Sequence, residues 1–265
     1  MNPVEVTQGT SPIVLGLPHT GTYVPMDIAV RLNARGKGLD DTDWHIHTLY
    51  DGLLDGATSV RAIFHRYVID ANRDPSGQSL YPGQNTTGLV PLTDFDGNDI
   101  WDISPTETEI AQRRDDFHAP YHQALFDELE RVRGLHGVAI LYDCHSIRSG
   151  IPFLFDGTLP DFNIGTNNGQ TCARAIETAT YGLCRAEDGY STVLNGRFKG
   201  GWTTRHYGQP GKGIHAIQME LAQSTYLSSE TPPWDYDTTN ATRVRRPLAR
   251  LLGKLAHIAL NGELT

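Results

Sequence analysis

The chain has 265 residues, 38% hydrophobic and 20% charged, which suits one large α/β domain over 1–265, with two small domains the alternative, and excludes a disordered chain. A formal net charge of −9 argues against nucleic acid as a partner, because neutralising phosphates needs a basic surface. No apolar run approaches the ~18 residues of a membrane span. Met1-Asn2-Pro3-Val4-Glu5 has neither the basic region nor the apolar run of a secretion signal. Three cysteines, Cys144, Cys172 and Cys184, fit no metal-clip spacing and read as reduced thiols of a soluble cytoplasmic protein. Oligomeric state is left open.

Apolar runs bounded by turn residues predict strands at Ile13–Leu17, Ser59–Phe64, Val138–Tyr142 and Ile214–Leu221. The third is apolar throughout, as in a central strand covered on both faces. Arg66 and Arg73 bracket a further apparent strand and turn at 67–72. The stretch 74–98 is rich in Gly, Pro, Asn and Thr, and loops of that length in a compact domain are often functional. Ser104-Pro105-Thr106-Glu107 predicts a capping box with proline at the first helical position. The helix it opens shows Ile110, Phe117, Tyr121, Leu125, Leu129 and Val132 at helical spacing, with Pro120 as a kink. A last helix presents Val244, Leu248, Leu251, Leu255 and Ile258. Strand and helix alternation implies an α/β sheet with helices on both faces.

Four polar groups follow or interrupt these strands, where ligands bind in open α/β sheets. His19 follows the first strand. Asp40, Asp41 and Asp43 open a helical segment, a position that also suits simple helix capping. His145 ends the most apolar strand, in Tyr142-Asp143-Cys144-His145-Ser146, where Asp143 and Ser146 also suit a tight turn. Glu220 sits inside an apolar strand pattern, where an unpartnered carboxylate costs several kcal/mol or titrates to neutral. Each group alone has a structural explanation. Two histidines and an acid at strand ends together meet the needs of a catalytic zinc, with three protein ligands and an open position. Arginine suits planar capture of carboxylates. Arg66, Arg73, Arg197 and Arg205, in loops of an acidic chain, therefore suggest a focused positive pocket.

The stretches LPHTGTYVP at 17–25, DTDWH at 41–45, RYVIDANRDPSGQSLYPGQNTTGL at 66–89, YDCHSIRS at 142–149, LNGRFKGGWTTRHYGQP at 194–210 and HAIQMELAQSTYL at 215–227 resemble the N-formylglutamate amidohydrolase (deformylase) family of histidine degradation. One departure is His47-Thr48, where that family's pattern leads us to expect an acid followed by a basic residue. The family is in turn similar in fold to zinc carboxypeptidases and aspartoacylase-like deacylases, which implies a single domain with a mixed, mostly parallel sheet. Those enzymes hold zinc through a histidine, a glutamate three residues on, and a distant histidine. Thr22 breaks that pair here, so the resemblance implies His19, His145 and Asp43 as ligands of one Zn2+, with Asp41 the competitor for the acid. It further implies Glu220 as general base and acid, and Asn72-Arg73 as a carboxylate site. Arg66, Arg197 and Arg205 compete for the second carboxylate and the oxyanion. The expected reaction is hydrolysis of N-formyl-L-glutamate to formate and L-glutamate. The alternatives are deacylation of another N-acyl acidic amino acid, or metal-free binding of an acidic amino acid.

Overall fold

The computed structural model describes residues 2–80, 83–262 and 264. Met1 and the Tyr81-Pro82 step of the 66–89 stretch lie outside the described residues. Among the described residues seven strands, β1 (Val4–Thr7), β2 (Ile13–Leu17), β3 (Thr58–Ala62), β4 (Ala139–Ile147), β5 (Phe162–Gly165), β6 (Thr192–Leu194) and β7 (Ile214–Ala222), form one sheet in the order β1-β3-β2-β4-β7-β5-β6. The β3-β2-β4-β7 centre is parallel, as is β5-β6, while β1 meets β3 and β5 meets β7 antiparallel. The helices are α1 (Met26–Ala29), α2 (Ile46–Tyr50), α3 (Glu107–Arg113), α4 (Ala119–His136), α5 (Arg174–Arg185), α6 (Trp202–Tyr207) and α7 (Thr238–Leu260).

Alternation along the central strands divides the core between two faces. Ile140, Tyr142 and Cys144 of β4 join Ile217, Met219 and Leu221 of β7 in one cluster with the Val244, Leu248, Leu251, Leu255 and Ile258 stripe of α7. Ala139, Leu141 and Ala216 point the other way, against Tyr121, Leu125, Leu129 and Val132 of α4. Asp237 caps α7, its carboxylate accepting the Thr239 and Asn240 N–H groups. Among the described residues no helix is long and apolar enough to cross a membrane. All three cysteines are free and buried.

Three local expectations are corrected. The capping box forms two residues later, between Thr106 and Glu109. Both Ser104 and Thr106 stand three residues before a glutamate, and Arg31 pairs with Glu109, which favours the second box. The irregularity near Pro120 is a π turn at Arg114–His118 joining α3 to α4, just before the residue that cannot donate into the helical ladder. Tyr67–Asn72 is not a strand. Tyr67, Val68, Ile69 and Ala71 are buried in a loop, fastened by Asp70 N–H to Leu89 O at 2.7 Å and Arg73 N–H to Asp70 O at 3.2 Å.

Candidate active site

On the α4 side, the apolar lining of β4 and β7 gives way to polar residues toward the strands' C-terminal ends. Leu141 is followed on the same face by Asp143 and His145, and Ala216 by Gln218 and Glu220. Parallel register sets Asp143 beside Gln218 and His145 beside Glu220. His145 therefore lies within its strand rather than at its end, and Asp143 and Ser146 are strand residues, not a turn. β2 stops at Leu17, and His19 follows one residue beyond Pro18. Asp43 arrives from the loop before α2, its N–H donating to His19 O at 3.0 Å.

His19, Asp43 and His145 each offer a ligand atom, all within 4.8 Å of one another and all buried. Asp43 Oδ2 lies 3.8 Å from His19 Nδ1 and 3.3 Å from His145 Nδ1. The outer ring nitrogens face other carboxylates: His19 Nε2 is 2.7 Å from Asp70 Oδ1, and His145 Nε2 is 3.1 Å from Asp143 Oδ1. His19 Nδ1 is buried with no hydrogen-bond partner among the described residues. A carboxylate behind each ring, with the other ring nitrogen turned toward the shared aspartate, is an arrangement that suits metal-binding histidines. The field agrees. Burial works against a charged His145, yet Asp143, Asp43 and Glu220 raise its pKa well above the usual 6.5. This spot favours a cation.

Asp43, not Asp41, stands with the histidines. Asp41 Oδ2 accepts the Phe95 N–H at 3.0 Å, and burial pushes its carboxyl up to about 7. Burial acts on Asp43 too, but the Arg66 guanidinium and both histidines reverse it and hold the carboxyl well below the usual range. Arg66 Nη2 donates to Asp43 Oδ1 at 2.6 Å, while Ser146 N–H donates to Oδ2 at 3.1 Å. Burial raises Glu220 from 4.5 to about 8, against the lowering pull of His145 and Arg66.

His19, His145 and Glu220 open on a cavity of about 380 Å³, lined also by Arg66, Asn72, Arg73, Arg197 and Gln218. The 74–98 loop supplies much of its wall, through Asp74, residues 77–80 and 83–89, and Phe95. Arg73 is held by that loop, with Nε donating to Thr87 O at 2.9 Å and Nη2 to Thr87 Oγ1 at 3.0 Å. Asn72 Oδ1 accepts the Thr203 N–H at 2.9 Å, and its Nδ2 lies 3.3 Å from His145 Nε2. Arg197 donates to Leu154 O and Asn85 O, both at 3.1 Å. Arg205 departs from expectation. It is not among the described cavity-lining residues, and its Nε donates to Gly200 O at 2.9 Å, bracing the glycine turn.

Sequence reasoning missed Asp70 and Gln218. The signal for Asp70 was the one used for Glu220, an acid inside an apolar run.

An α/β sheet that gathers a buried glutamate, two histidines and an aspartate around one cavity offers the groups that a hydrolase uses. The sequence model of the N-formylglutamate amidohydrolase family matches residues 11–227, and the chain belongs to that family. It is 46% identical to an N-formylglutamate deformylase from Pseudomonas putida over 251 residues, 94% of this chain and 93% of the relative. A deformylase of the same name from Pseudomonas aeruginosa is 43% identical, covering 92% of this chain and 94% of its own. The crystal structure of an N-formylglutamate amidohydrolase from Ralstonia eutropha JMP134 superposes with a TM-score of 0.81 at 25% identity, covering 99% of this chain and all of the other. A protein from Agrobacterium tumefaciens shares the fold, with a TM-score of 0.72 at 18% identity.

Proposed function

We propose that the chain hydrolyses N-formyl-L-glutamate to formate and L-glutamate, with one zinc held by His19, Asp43 and His145. The observation that carries this reading is the buried His–Asp–His group, whose two histidines line the same cavity as Glu220, in a chain 46% identical to a deformylase. The donor set fits the metal: two imidazole nitrogens and a carboxylate oxygen, backed by Asp70 and Asp143. When bound, zinc supplies Lewis acidity that brings the pKa of water down to roughly 7 and polarises a carbonyl.

The chain's own residues do the rest. Glu220 takes the proton of the attacking water and returns it to the departing glutamate nitrogen. Arg66, anchored on Asp43 and lining the cavity, faces the charge that develops on the formyl oxygen. Asn72 and Arg73 hold one substrate carboxylate and Arg197 the other, so cationic groups concentrate in a protein of net charge −9.

Metal analysis of purified protein, followed by formate release from N-formyl-L-glutamate, N-acetyl-L-glutamate and N-formyl-L-aspartate, tests the reading. The expected result is one zinc per chain and turnover of the first compound in preference to the others. Faster turnover of the acetyl compound would reassign the acyl group. Asp70→Asn should weaken zinc binding about 10- to 100-fold, read by competition with a chelator, because Asp70 orients His19. Unchanged affinity would detach Asp70 from the metal. Arg73→Lys should lower kcat/KM by about 1.5–3 kcal/mol, since a point donor replaces a planar fork. The loss should shrink for the substrate amide lacking the carboxylate that Arg73 holds. If both monoamide analogues suffer the full loss, Arg73 does not bind a carboxylate.

A further inference from the structure

Gln218 is a buried carboxamide, 3% exposed, two residues before Glu220 on the same face of β7. Its Oε1 accepts the Gly201 N–H at 2.7 Å, and its Nε2 donates to Glu220 Oε2 at 3.0 Å. A carboxamide has one accepting end and one donating end. A backbone N–H can only donate, so Gly201 fixes which end of Gln218 faces Glu220. Gly201 packs closely against the Asn72 carboxamide, leaving no room for a side chain, because a Cβ there would lie 2.3 Å from Asn72 Nδ2. All of Gln218, Glu220 and Gly201 line the cavity.

We propose that Gln218 is a positioning residue for Glu220, transmitting the fixed backbone at the start of α6 to the carboxylate that moves the proton. The proposal rests on Glu220 being the base. A glutamate carboxylate is set by three side-chain torsions, and the Gln218 bond holds one of its oxygens so that the group keeps a single orientation beside His145. A misplacement of about 1 Å at a reacting group costs on the order of 10²-fold in rate. A glutamine buried only for packing would need satisfied hydrogen bonds, but its loss would not depend on what occupies position 220.

The test uses Gln218→Met, which removes both bonds at similar volume, and Gln218→Glu, which keeps the acceptor for Gly201 N–H and replaces the donor with a carboxyl oxygen. Both are made in the full chain and in the Glu220→Gln background, with zinc content, kcat and KM for formate release, and crystal structures. Expected are retained zinc, kcat lower by about 10- to 100-fold, and KM within about threefold of the parent. Expected too are a displaced Glu220 carboxylate and no further loss when Glu220 is already Gln. Equal losses in both backgrounds, wild-type turnover in Gln218→Glu, or an unmoved Glu220 in the Gln218→Met crystal would each overturn the proposal. If Gln218→Met does not fold, Gln218→Glu alone decides. If the parent releases no formate from N-formyl-L-glutamate, the substrate reading fails, and the position of Glu220 in the crystals still judges Gln218.

Discussion

Glu220→Gln is expected to keep zinc and to lose about 10²- to 10⁴-fold in kcat, the usual contribution of a positioned general base. The substitution preserves shape and removes only the ability to accept and return a proton. Wild-type turnover in this variant would end the assignment of Glu220 as the base, and loss of zinc would make it a ligand instead. A second readout needs no substrate. Burial raises the Glu220 carboxyl from 4.5 to about 8 in the fold, so the unfolded chain releases that proton first. A group raised in this way favours the fold below its unfolded pKa and loses that contribution as pH climbs through the folded value. Metal-free Glu220→Gln, which has no such proton to lose, should therefore gain in Tm over the metal-free parent as pH is taken from 5 to 8. A constant difference across that window would show that Glu220 titrates normally.

The sheet and the His–Asp–His group differ in how far the sequence reveals them. β2 occupies the run that periodicity marks, Ile13–Leu17, because a five-residue apolar segment between turn residues has few ways to bury itself. The 67–72 run carries the same signal and fails, since apolar residues are buried equally well in a loop pinned by Asp70 and Arg73. Glu220 was legible as a carboxylate where an apolar side chain belongs. The choice between Asp41 and Asp43 was not, because it depends on the Asp43–His19 backbone bond and on His45 turning the chain at φ 57°. Gln218 was invisible for a related reason. A glutamine in a strand has no distinctive pattern until the fold brings the glycine turn against it, through Gly201.

Arg66→Met should cost the metal-free protein about 3–5 kcal/mol of stability, the penalty for leaving one partner of a buried ion pair alone. Asp43 is 1% exposed, and Arg66 is the strongest influence holding its carboxyl low against burial. A carboxyl depressed in the fold stabilises above its unfolded pKa and loses that contribution only as pH falls through the folded value, so at pH 7 the whole effect is present. Methionine keeps much of the aliphatic stem and loses the guanidinium carbon that lies 4.9 Å from the Phe95 ring centroid. The loss is therefore chiefly electrostatic, and Arg66→Lys should restore a large part of it. If Asp43 is a zinc ligand, the metal supplies the positive charge that methionine removed. Urea unfolding of Arg66→Met should then show a much smaller deficit with saturating zinc than with chelator. A deficit of the same size in both conditions would take Asp43 out of the ligand set, whatever the histidines do. No deficit in either would mean that the Asp43 charge is compensated elsewhere, by the Ser146 N–H and the two imidazoles that surround it.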